Sequence, residues 1–382
     1  MDGVTKLFEC NPQCNYKVRF QGRKAVFKSC RETFDGHTIY DVIRFVNAVH
    51  KKYGTQKVPM VFKFGKVDII DKLAYIIFEC ICYSLMRDYG HEVEVYLLPQ
   101  SDILTEGIFS TPLLLLNNQK RDKHKTYMHK FRMDIYGKHF RRVVVGQDKQ
   151  DTNYVGNLMQ EIRTFLKTFD IIDEYRNPIA NVIAELVGNA GEHAFSNCLL
   201  DIDVTSDYMK SKNGRKEQGS FYGINIAILN FSDILLHEGI LQKLQTGNLG
   251  SGRYQDLNRA YNFHKKQFSD EYCYEDFCNI AALQDKISGR EDYDESGGTG
   301  LTKLIKTLQS KSDMDNCYVL SGRHCVIFKR EFLEYDKEDW LGFNSERDFF
   351  GCVPNKGVLS ECPIMFPGTA YNLNFVMKRE ES

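Results

Sequence analysis

The sequence predicts an α+β protein in two parts, and the order of its apolar patterns supports this. In the first part, a strand-like run, a helical run and a second strand-like run follow one another, which is typical of a parallel crossover. In the second part, helical segments alternate with mostly antiparallel strand patterns, which is typical of a sheet covered by helices on one face. We place the boundary near residue 150, with a smaller α/β domain over residues 1–150 and a two-layer α/β sandwich over residues 151–382.

The composition excludes several classes of protein. Apolar residues make up 42% of the 382 residues and charged residues 26%, so the chain as a whole is not intrinsically disordered. Lys and Arg number 50 against 51 Asp and Glu, which argues against a protein that coats DNA. The longest apolar stretch, Ala74–Met86, contains Glu79 and is too short to span a bilayer. We therefore expect a cytoplasmic protein with no membrane contact.

The twelve cysteines are scattered along the chain. No CxxC pair occurs, and no His/Cys cluster follows the close pairs Cys10/Cys14 and Cys80/Cys82 at the spacing of a zinc site. The sequence therefore predicts ordinary, reduced thiols. Cys273 and Cys278 are candidates for reactive thiols, although no neighbour in the sequence visibly lowers their pKa values.

The first part contains five predicted features before residue 100. They are a hairpin over Tyr16–Cys30 that turns at Gln21-Gly22, an amphipathic helix over Thr38–Tyr53 that ends at Gly54, a buried strand over Val58–Phe64, an apolar helix over Asp71–Tyr89 and a strand over Val93–Leu98. The order of the last three predicts two parallel strands joined by a helical crossover.

A strand or buried segment over Leu113–Leu116 is followed by a basic stretch, Asn117–Arg142. The aromatic residues interleaved with its Lys and Arg are Tyr127, Phe131, Tyr136 and Phe140. Such a mixture can hold phosphates and stack on bases. Because the net charge of the chain is balanced, we favour a solvated connector over nucleic-acid binding.

The second part contains a larger set of predicted elements. They are helices over Gly156–Lys167 and Pro178–Phe195, a hairpin of strands Leu199–Tyr208 and Phe221–Phe231, helical fragments over Leu257–Phe268 and Asp276–Ile287, a helix over Leu301–Leu308, a hairpin of Cys317–Ser321 and Cys325–Lys329 around Gly322-Arg323, and a last strand over Thr369–Met377.

The segment Asn177–Phe195 (NPIANVIAELVGNAGEHAF) carries the strongest local signal for function. Asn177 suits a helix N-cap and Pro178 suits the first helical turn. The polar residues that recur every four positions on one face are Asn181, Glu185, Asn189 and His193. A solvated face would favour Lys and Glu, so this row indicates a ligand site. A polar face with incidental amides is the alternative.

A glycine-rich segment, Glu295–Leu301 (ESGGTGL), runs into a predicted helix. Gly297, Gly298 and Gly300 leave backbone amides free beside a helix N-terminus, which favours phosphate. The segment is not a P-loop, since no Gly-Lys-Ser/Thr follows it. It is not a dinucleotide fingerprint either, since no strand comes immediately before it.

A third signal is the apolar strand in Ile224–Asp233 (INIAILNFSD), which turns polar at its end. Asn230, Ser232 and Asp233 lie there, and polar strand ends often contact ligands. Taken alone, a plain strand followed by a turn explains this segment equally well.

Together with a late Gly-Thr pair, these three segments resemble the GHKL ATP-binding superfamily, which contains gyrase-type ATPases, histidine kinases and anti-sigma serine kinases. The resemblance covers about residue 156 to the C-terminus, and order and spacing agree over four motifs. The matching residues are Glu185, Asn189, Ala190, His193 and Ala194 in the first motif, Gly298, Thr299, Gly300 and Leu301 in the glycine loop, and Pro367–Tyr371 (PGTAY) in the last. The resemblance implies a GHKL (Bergerat) sandwich with ATP and Mg²⁺ as cofactors.

The resemblance also implies roles for single residues. Asn189 would coordinate Mg²⁺, and Glu185 would act as general base toward water or an acceptor hydroxyl. Thr369 would lie near the adenine, and the glycine loop would cover the phosphates. The remaining residues that the resemblance assigns to the nucleotide site are His193, Gly297, Gly298, Thr299, Gly300 and Leu301.

The strand end departs from the pattern of the family, which is Asp-x-Gly-x-Gly with the Asp accepting from the adenine amino group. Asn230, Ser232 and Ile234 stand at the Asp and Gly positions. An Asn carbonyl can accept the same hydrogen bond but carries no charge. Asp233 would replace it if the turn were shifted. The predicted lid, residues 242–300, is long for the family and is a candidate for binding a partner.

The layout of Tyr16–Leu98 resembles, less specifically, a STAS domain. A strand, a loop with Ile70-Asp71, a helix and a strand after Gly90 follow in that order. The family's phosphorylatable Ser after the Asp is absent, since Lys72 stands there, so a phospho-switch at this position would be lost. A generic α/β scaffold is the alternative.

The sequence thus predicts a protein that binds Mg-ATP and hydrolyses it or transfers its γ-phosphoryl group to a protein partner in a regulatory or signalling role. The alternative is a non-catalytic regulatory module with a degenerate nucleotide pocket. In either case we expect a protein partner at the N-terminal domain or the lid, or a homodimer. Nucleic acid is not an expected partner.

Overall fold

The computed structural model describes residues 1–99, 110–117, 121–145, 153–169, 171–194, 196–208, 211–212, 215–216, 221–246, 252–287, 300–311 and 317–378. Among these residues the α-helices are α1 (Thr5–Cys10), α2 (Gly36–Tyr53), α3 (Lys72–Arg87), α4 (Arg121–Arg132), α5 (Tyr154–Lys167), α6 (Asp173–Ala194), α7 (Glu238–Thr246), α8 (Arg253–His264), α9 (Tyr274–Ala281) and α10 (Gly300–Lys311). The strands are β1 (Arg19–Gln21), β2 (Lys24–Lys28), β3 (Thr33–Phe34), β4 (Met60–Ile69), β5 (Val93–Pro99), β6 (Met133–Tyr136), β7 (His139–Val144), β8 (Cys198–Tyr208), β9 (Ser211–Lys212), β10 (Arg215–Lys216), β11 (Phe221–Phe231), β12 (Tyr318–Ile327) and β13 (Leu359–Lys378). The protein is of mixed α and β structure, as the sequence predicts.

The first sheet contains β1 to β5 and is organised around β4. Strands β2, β3 and β5 all pair with β4 in parallel, and β1 closes an antiparallel hairpin with β2. The predicted crossover from β4 through α3 to β5 is therefore confirmed. Helix α3 begins where the Asp71 carboxylate accepts hydrogen bonds from the backbone amides of Leu73 and Ala74, which is an ordinary N-cap.

The second sheet is antiparallel and has the strand order β12-β13-β11-β8-β7-β6. Strand β7 of the β6–β7 hairpin pairs with β8 along the whole length of β7, from His139 opposite Asp203 to Val144 opposite Cys198. This sheet therefore begins at Met133, before the boundary that we predicted near residue 150.

Both faces of the six-stranded sheet are covered. Alternate residues of β11, such as Ile226 and Ile228, pack with helices α5, α6 and α10 in one core. Their neighbours Ala227 and Leu229 pack with α2 and α3 in a second core, which also includes one face of the first sheet. Helices α2 and α3 thus lie between the two sheets. The predicted two-layer sandwich is incomplete, because α2 and α3 of the first part cover the second face of the six-stranded sheet.

Several predicted elements differ from the structure. Residues Pro112–Asn117 form a 3-10 helix rather than a strand. Helix α6 begins at Asp173 and includes Pro178, so Asn177 is not its N-cap. The predicted hairpin at Gly322 is wrong: with its φ of 64°, Gly322 makes a bulge within the single strand β12 instead of a turn.

The basic stretch before residue 142 is not a solvated connector. It forms α4 and the β6–β7 hairpin, and three of its four aromatic side chains, those of Tyr127, Phe131 and Phe140, are buried in the two cores. Only Tyr136 of the four is exposed. Base stacking along this stretch is therefore not supported.

Among the described residues, no helix has the length and apolar character that a bilayer crossing requires.

Candidate functional site

A row of polar side chains crosses one end of the six-stranded sheet. The strand register sets Asn230 of β11 beside Thr369 of β13, and Thr369 beside Ser321 of β12. The neighbours Leu229, Leu320 and Ala370 belong to the core of the opposite face. Because side chains alternate along a strand, the three polar residues face the layer of α6 and α10. This row brings the predicted Asn230 and Thr369 together.

Hydrogen bonds connect this row to the chain around it. The Asn230 amide donates to the hydroxyl of Ser196 at 2.9 Å and lies 3.4 Å from the hydroxyl of Ser232. Both Asn230 and Ser232 are buried. The Ser321 hydroxyl donates to the Gly368 carbonyl at 2.8 Å. Since Ser196 lies two residues after α6, the C-terminal end of α6 meets the sheet at this row.

Gly368 is required by the close approach of two strands. Its φ is 108°, which residues with an L side chain rarely adopt. A Cβ built on it would lie 2.3 Å from the backbone carbonyl oxygen of Asn230. The Gly-Thr pair of the last motif therefore has a steric reason in this fold: glycine lets β13 pass against the end of β11.

One member of the polar row on α6, Glu185, lies beside α10. The Glu185 carboxylate lies 3.9 Å from the Lys303 ammonium, and both side chains are partly exposed. Lys303 lies in the first turn of α10, three residues after Gly300, the residue that begins the helix. Asn189 follows Glu185 by one turn and is partly buried. Glu185 and Asn189 are thus on the α6 face that meets the start of α10.

Some predicted site residues lie elsewhere or are not described. Asp233 forms an exposed ion pair with Lys6 of α1 and does not take the place of Asn230. Leu301 is partly buried and packs on the core. Gly297, Gly298 and Thr299 lie outside the described residues, and of His193 only the backbone, in α6, is described.

Sequence reasoning missed three residues of this site. Ser196 and Ser321 gave no signal because their roles depend on strand register. Lys303 had a usable signal, since a cation in the first turn after a glycine-rich loop is well placed for an anion held by that loop. Beside phosphates it would add a positive charge to the backbone amides.

The predicted lid is largely a folded part of the protein. Its described residues 252–287 contribute Leu257, Phe277 and Ile280 to the main core. The Phe277 ring stacks on Phe349 at 5.8 Å. At its end, the Asp285 carboxylate accepts a hydrogen bond of 2.9 Å from Thr302 in α10. The described part of the predicted lid is therefore packed on the main core of the protein.

A buried charge network joins the first part to the opposite face of the sheet. Lys72 and Glu79 of α3 meet Arg141 of β7 and Asp201 and Asp203 of β8. The Lys72 ammonium lies 2.7 Å from an Asp201 oxygen, and the Arg141 Nε lies 2.5 Å from the other. All five side chains are buried, so each charge needs its partners. Lys72, where a STAS domain would carry its Ser, joins α3 to β8 of the six-stranded sheet.

His139 belongs to the same network. Its Nε2 lies 2.8 Å from Asp201 Oδ2 and its Nδ1 lies 3.3 Å from Asp134 Oδ2. Burial alone would lower the pKa of His139, but these two carboxylates outweigh it and raise the pKa above the ordinary value. The Lys130 ammonium lies 3.1 Å from Asp134 Oδ1. The group that we call the α3–sheet charge network comprises Lys72, Glu79, Lys130, Asp134, His139, Arg141, Asp201 and Asp203.

Comparisons with known proteins add no identity to this geometry. Neither the models of protein families, nor the curated proteins, nor the solved structures include a match to this chain.

Proposed function

We propose that this protein binds Mg-ATP, in the manner of the GHKL superfamily, between the start of α10 and the place where the C-terminal ends of α6 and β11 lie beside Thr369 of β13. The observation that carries the proposal is the joint occurrence of four ordered motifs and the row Asn230–Thr369–Ser321 at the end of α6. Ser232 lies beside Asn230 at that strand end.

In this proposal each group has a chemical task. Asn230 and Thr369 receive the adenine, with the Asn230 carbonyl as acceptor for its amino group. The glycine loop and the first amides of α10 hold the phosphates, because a helix N-terminus favours anions. Lys303 adds a cation near them. Asn189 supplies an oxygen ligand to the Mg²⁺ that bridges the phosphates.

Glu185 is the proposed general base. Its separation of 3.9 Å from Lys303 keeps a carboxylate at the proposed phosphate end without a tight ion pair. When ATP binds, the phosphates compete for Lys303, and the carboxylate is available to orient water or an acceptor hydroxyl. Hydrolysis or phosphoryl transfer to a protein in a regulatory role follows from this arrangement.

The first test is calorimetric titration of ATP with and without Mg²⁺. We expect Mg²⁺-dependent binding by the wild type and its loss in Asn189→Ala. The matched control is Asn181→Ala, because Asn181 lies two turns earlier on α6, is exposed and bonds Arg163 at 3.3 Å. Equal binding by the wild type and Asn189→Ala would contradict the assigned metal ligand. Absence of binding by the wild type would contradict the proposal.

The second test concerns turnover. Glu185→Gln should bind Mg-ATP as the wild type does and hydrolyse it at least about a hundredfold more slowly, since a general base contributes that much. Unchanged turnover in the variant would exclude Glu185 as the base.

A second candidate function is a non-catalytic regulatory module. The observation that favours it is that the Asn230 amide already donates to Ser196 where the family has a charged Asp. In this candidate, ATP binding changes the conformation of the protein, and the changed conformation binds a protein partner or a second copy of the chain. Tight Mg-ATP binding with turnover no faster than in buffer would support this candidate, and ATP-dependent dimerisation can be measured by sedimentation.

A further inference from the structure

Three side chains from distant parts of the chain converge beside α9. Cys273 precedes α9, Asp276 lies in its first turn, and His324 comes from β12. Their thiol sulfur, carboxylate oxygen and ring nitrogen all lie within 4.8 Å of one another. We call these residues the Cys273 cluster. It shares no residue with the proposed nucleotide site.

The distances within the cluster suit a tetrahedral metal ion. The Cys273 sulfur lies 3.1 Å from Asp276 Oδ2 and 3.7 Å from His324 Nδ1, and that nitrogen lies 2.9 Å from Asp276 Oδ1. A zinc ion bonded to sulfur at about 2.3 Å and to nitrogen and oxygen at about 2.0–2.2 Å sets its ligand atoms about 3.3–3.6 Å apart. The three observed distances bracket this range.

A cysteine nucleophile does not explain the arrangement. In a Cys-His-Asp triad the thiol and the carboxylate contact opposite ring nitrogens. Here both converge on the same atom, His324 Nδ1. In addition, burial and the neighbouring Glu275 and Asp276 carboxylates raise the pKa of the Cys273 thiol, which is the reverse of an activated nucleophile.

A second observation points to a ligand at this place. The His237 side chain is only 7% exposed, and its buried Nδ1 has no hydrogen-bond partner among the residues that the structure describes. Its ring lies 6.3 Å from the ring of His324, edge to face. A buried ring nitrogen without a partner is costly. Coordination of an ion shared with His324 removes that cost.

We propose that Cys273, Asp276 and His324 bind a zinc ion, with His237 as the fourth ligand. A thiolate, two imidazoles and one carboxylate form a donor set that favours zinc over magnesium or calcium. Four protein ligands are typical of a structural site. The ion fastens the loop after β11 and the start of α9 to β12.

The position gives the ion a consequence for the fold. The backbone amide of Leu236, next to His237, donates to the Ser321 hydroxyl at 2.9 Å. Ser321 lies beside Thr369 in the polar row. Zinc therefore holds the loop that borders this end of the sheet. Its binding does not depend on whether the row binds a nucleotide.

The test uses the full chain without a purification tag, stripped by a chelator and titrated with Zn²⁺ and Co²⁺. We expect one equivalent of either ion and a thiolate-to-cobalt charge-transfer absorption. Cys273→Ser should abolish that absorption and lower the zinc affinity at least about a hundredfold, beyond what loss of a supporting group costs. His237→Ala should keep the absorption and weaken zinc binding. Cys352→Ser, the control outside the cluster, should bind as the wild type does.

A measurement on the wild type alone keeps the proposal testable if a variant does not fold. Zinc should slow alkylation of Cys273, read by peptide mass spectrometry, and leave that of Cys352 unchanged. Absence of the charge-transfer absorption, or equal alkylation of Cys273 with and without zinc, would overturn the proposal. Wild-type zinc affinity in Cys273→Ser would overturn it too. No nucleotide is present, so these outcomes are independent of the proposed ATP site.

Discussion

Asn230 is the residue on which the proposed adenine contact depends. It is buried, its amide donates to the Ser196 hydroxyl at 2.9 Å, and it stands where the GHKL pattern has Asp. An Asp there would accept from the Ser196 hydroxyl and from an adenine amino group, and hydrogen bonds to a charged acceptor are about twice as strong as neutral ones. The contacts that surround Asn230 therefore tolerate either side chain.

We expect Asn230→Asp to bind ATP several-fold more tightly than the wild type, with GTP binding unchanged or weaker. Calorimetric titration of both nucleotides measures this difference, and far-UV circular dichroism controls for the fold. Weaker ATP binding by a folded variant would mean that the Asn230 amide donates to the ligand, which would reverse the proposed adenine contact.

At the scale of residues, spacing along one helix could be read from the sequence and contacts across the fold could not. The four-residue repeat of Glu185 and Asn189 is visible because α6 is a regular helix. The Cys273 cluster is not visible, since His324 lies 51 positions from Cys273 and only the course of β12 brings them together. A search by zinc spacing therefore finds nothing.

Among the elements, the crossing of β13 and β11 depends on Gly368. We expect Gly368→Ala to lower the free energy of unfolding by about 2–4 kcal/mol, because the residue has a φ of 108° and its Cβ would clash with the backbone carbonyl oxygen of Asn230. Urea denaturation measures the change. Gly156→Ala in α5 is the matched control: its Cβ meets no atom within 4 Å, and it should be neutral or stabilising. Equal stability of the two variants would show that β13 moves to accommodate the added Cβ at no measurable cost in free energy.

Helix α3 is held to the sheet by charge as well as by apolar packing. Lys72→Met leaves Asp201 and Asp203 buried with one cation fewer, so we expect a loss of about 3–5 kcal/mol in the free energy of unfolding. Lys66→Met, at an exposed position of β4, should change it by less than about 0.5 kcal/mol. Chemical denaturation of both variants tests this. A loss below about 1 kcal/mol for Lys72→Met would mean that water solvates the two carboxylates.

Periodicity of the apolar residues predicted most helices and strands. It failed where tertiary contacts determine the secondary structure. The helix α2 and the parallel pair β4 and β5 follow from their apolar patterns. The covering of both sheet faces had a signal that was not used: β11 is apolar on both sides, and every one of its residues is buried. Such a strand is typical of a sheet buried on both faces. Nothing local, in contrast, indicated that Gly322 forms a bulge.

For the whole molecule, the α3–sheet charge network makes stability depend on pH. In it the carboxylates of Asp134 and Asp201 lie 3.3 Å from Nδ1 and 2.8 Å from Nε2 of the buried His139 ring, and they favour its protonated form. Because the pKa of His139 is raised in the fold, the folded protein binds more protons than the unfolded chain above about pH 6.5. The stability from His139 is complete below that pH and is lost as the pH rises through its folded pKa.

We expect the free energy of unfolding to fall with rising pH above about 6.5, at up to about 1.4 kcal/mol per pH unit from His139. Below that pH the trend reverses, because burial and the adjacent His91 lower the pKa of His50 to about 4. Between about pH 6.5 and 4, acid therefore protonates this ring in the unfolded chain but not in the folded protein, which favours unfolding. Denaturant unfolding from about pH 5 to 7.5 measures both limbs, and it stays below the pH range in which buried thiols with raised pKa values, such as Cys80, Cys278 and Cys362, add to the alkaline limb. His139→Gln should flatten the alkaline limb and leave the acid limb. His50→Gln should make the acid limb less steep and leave the alkaline limb, because burial also lowers the pKa values of His91, His237 and His264, which maintain the rest of the acid limb. An alkaline limb of the same slope in His139→Gln would assign it to other groups and show that His139 is neutral in the fold.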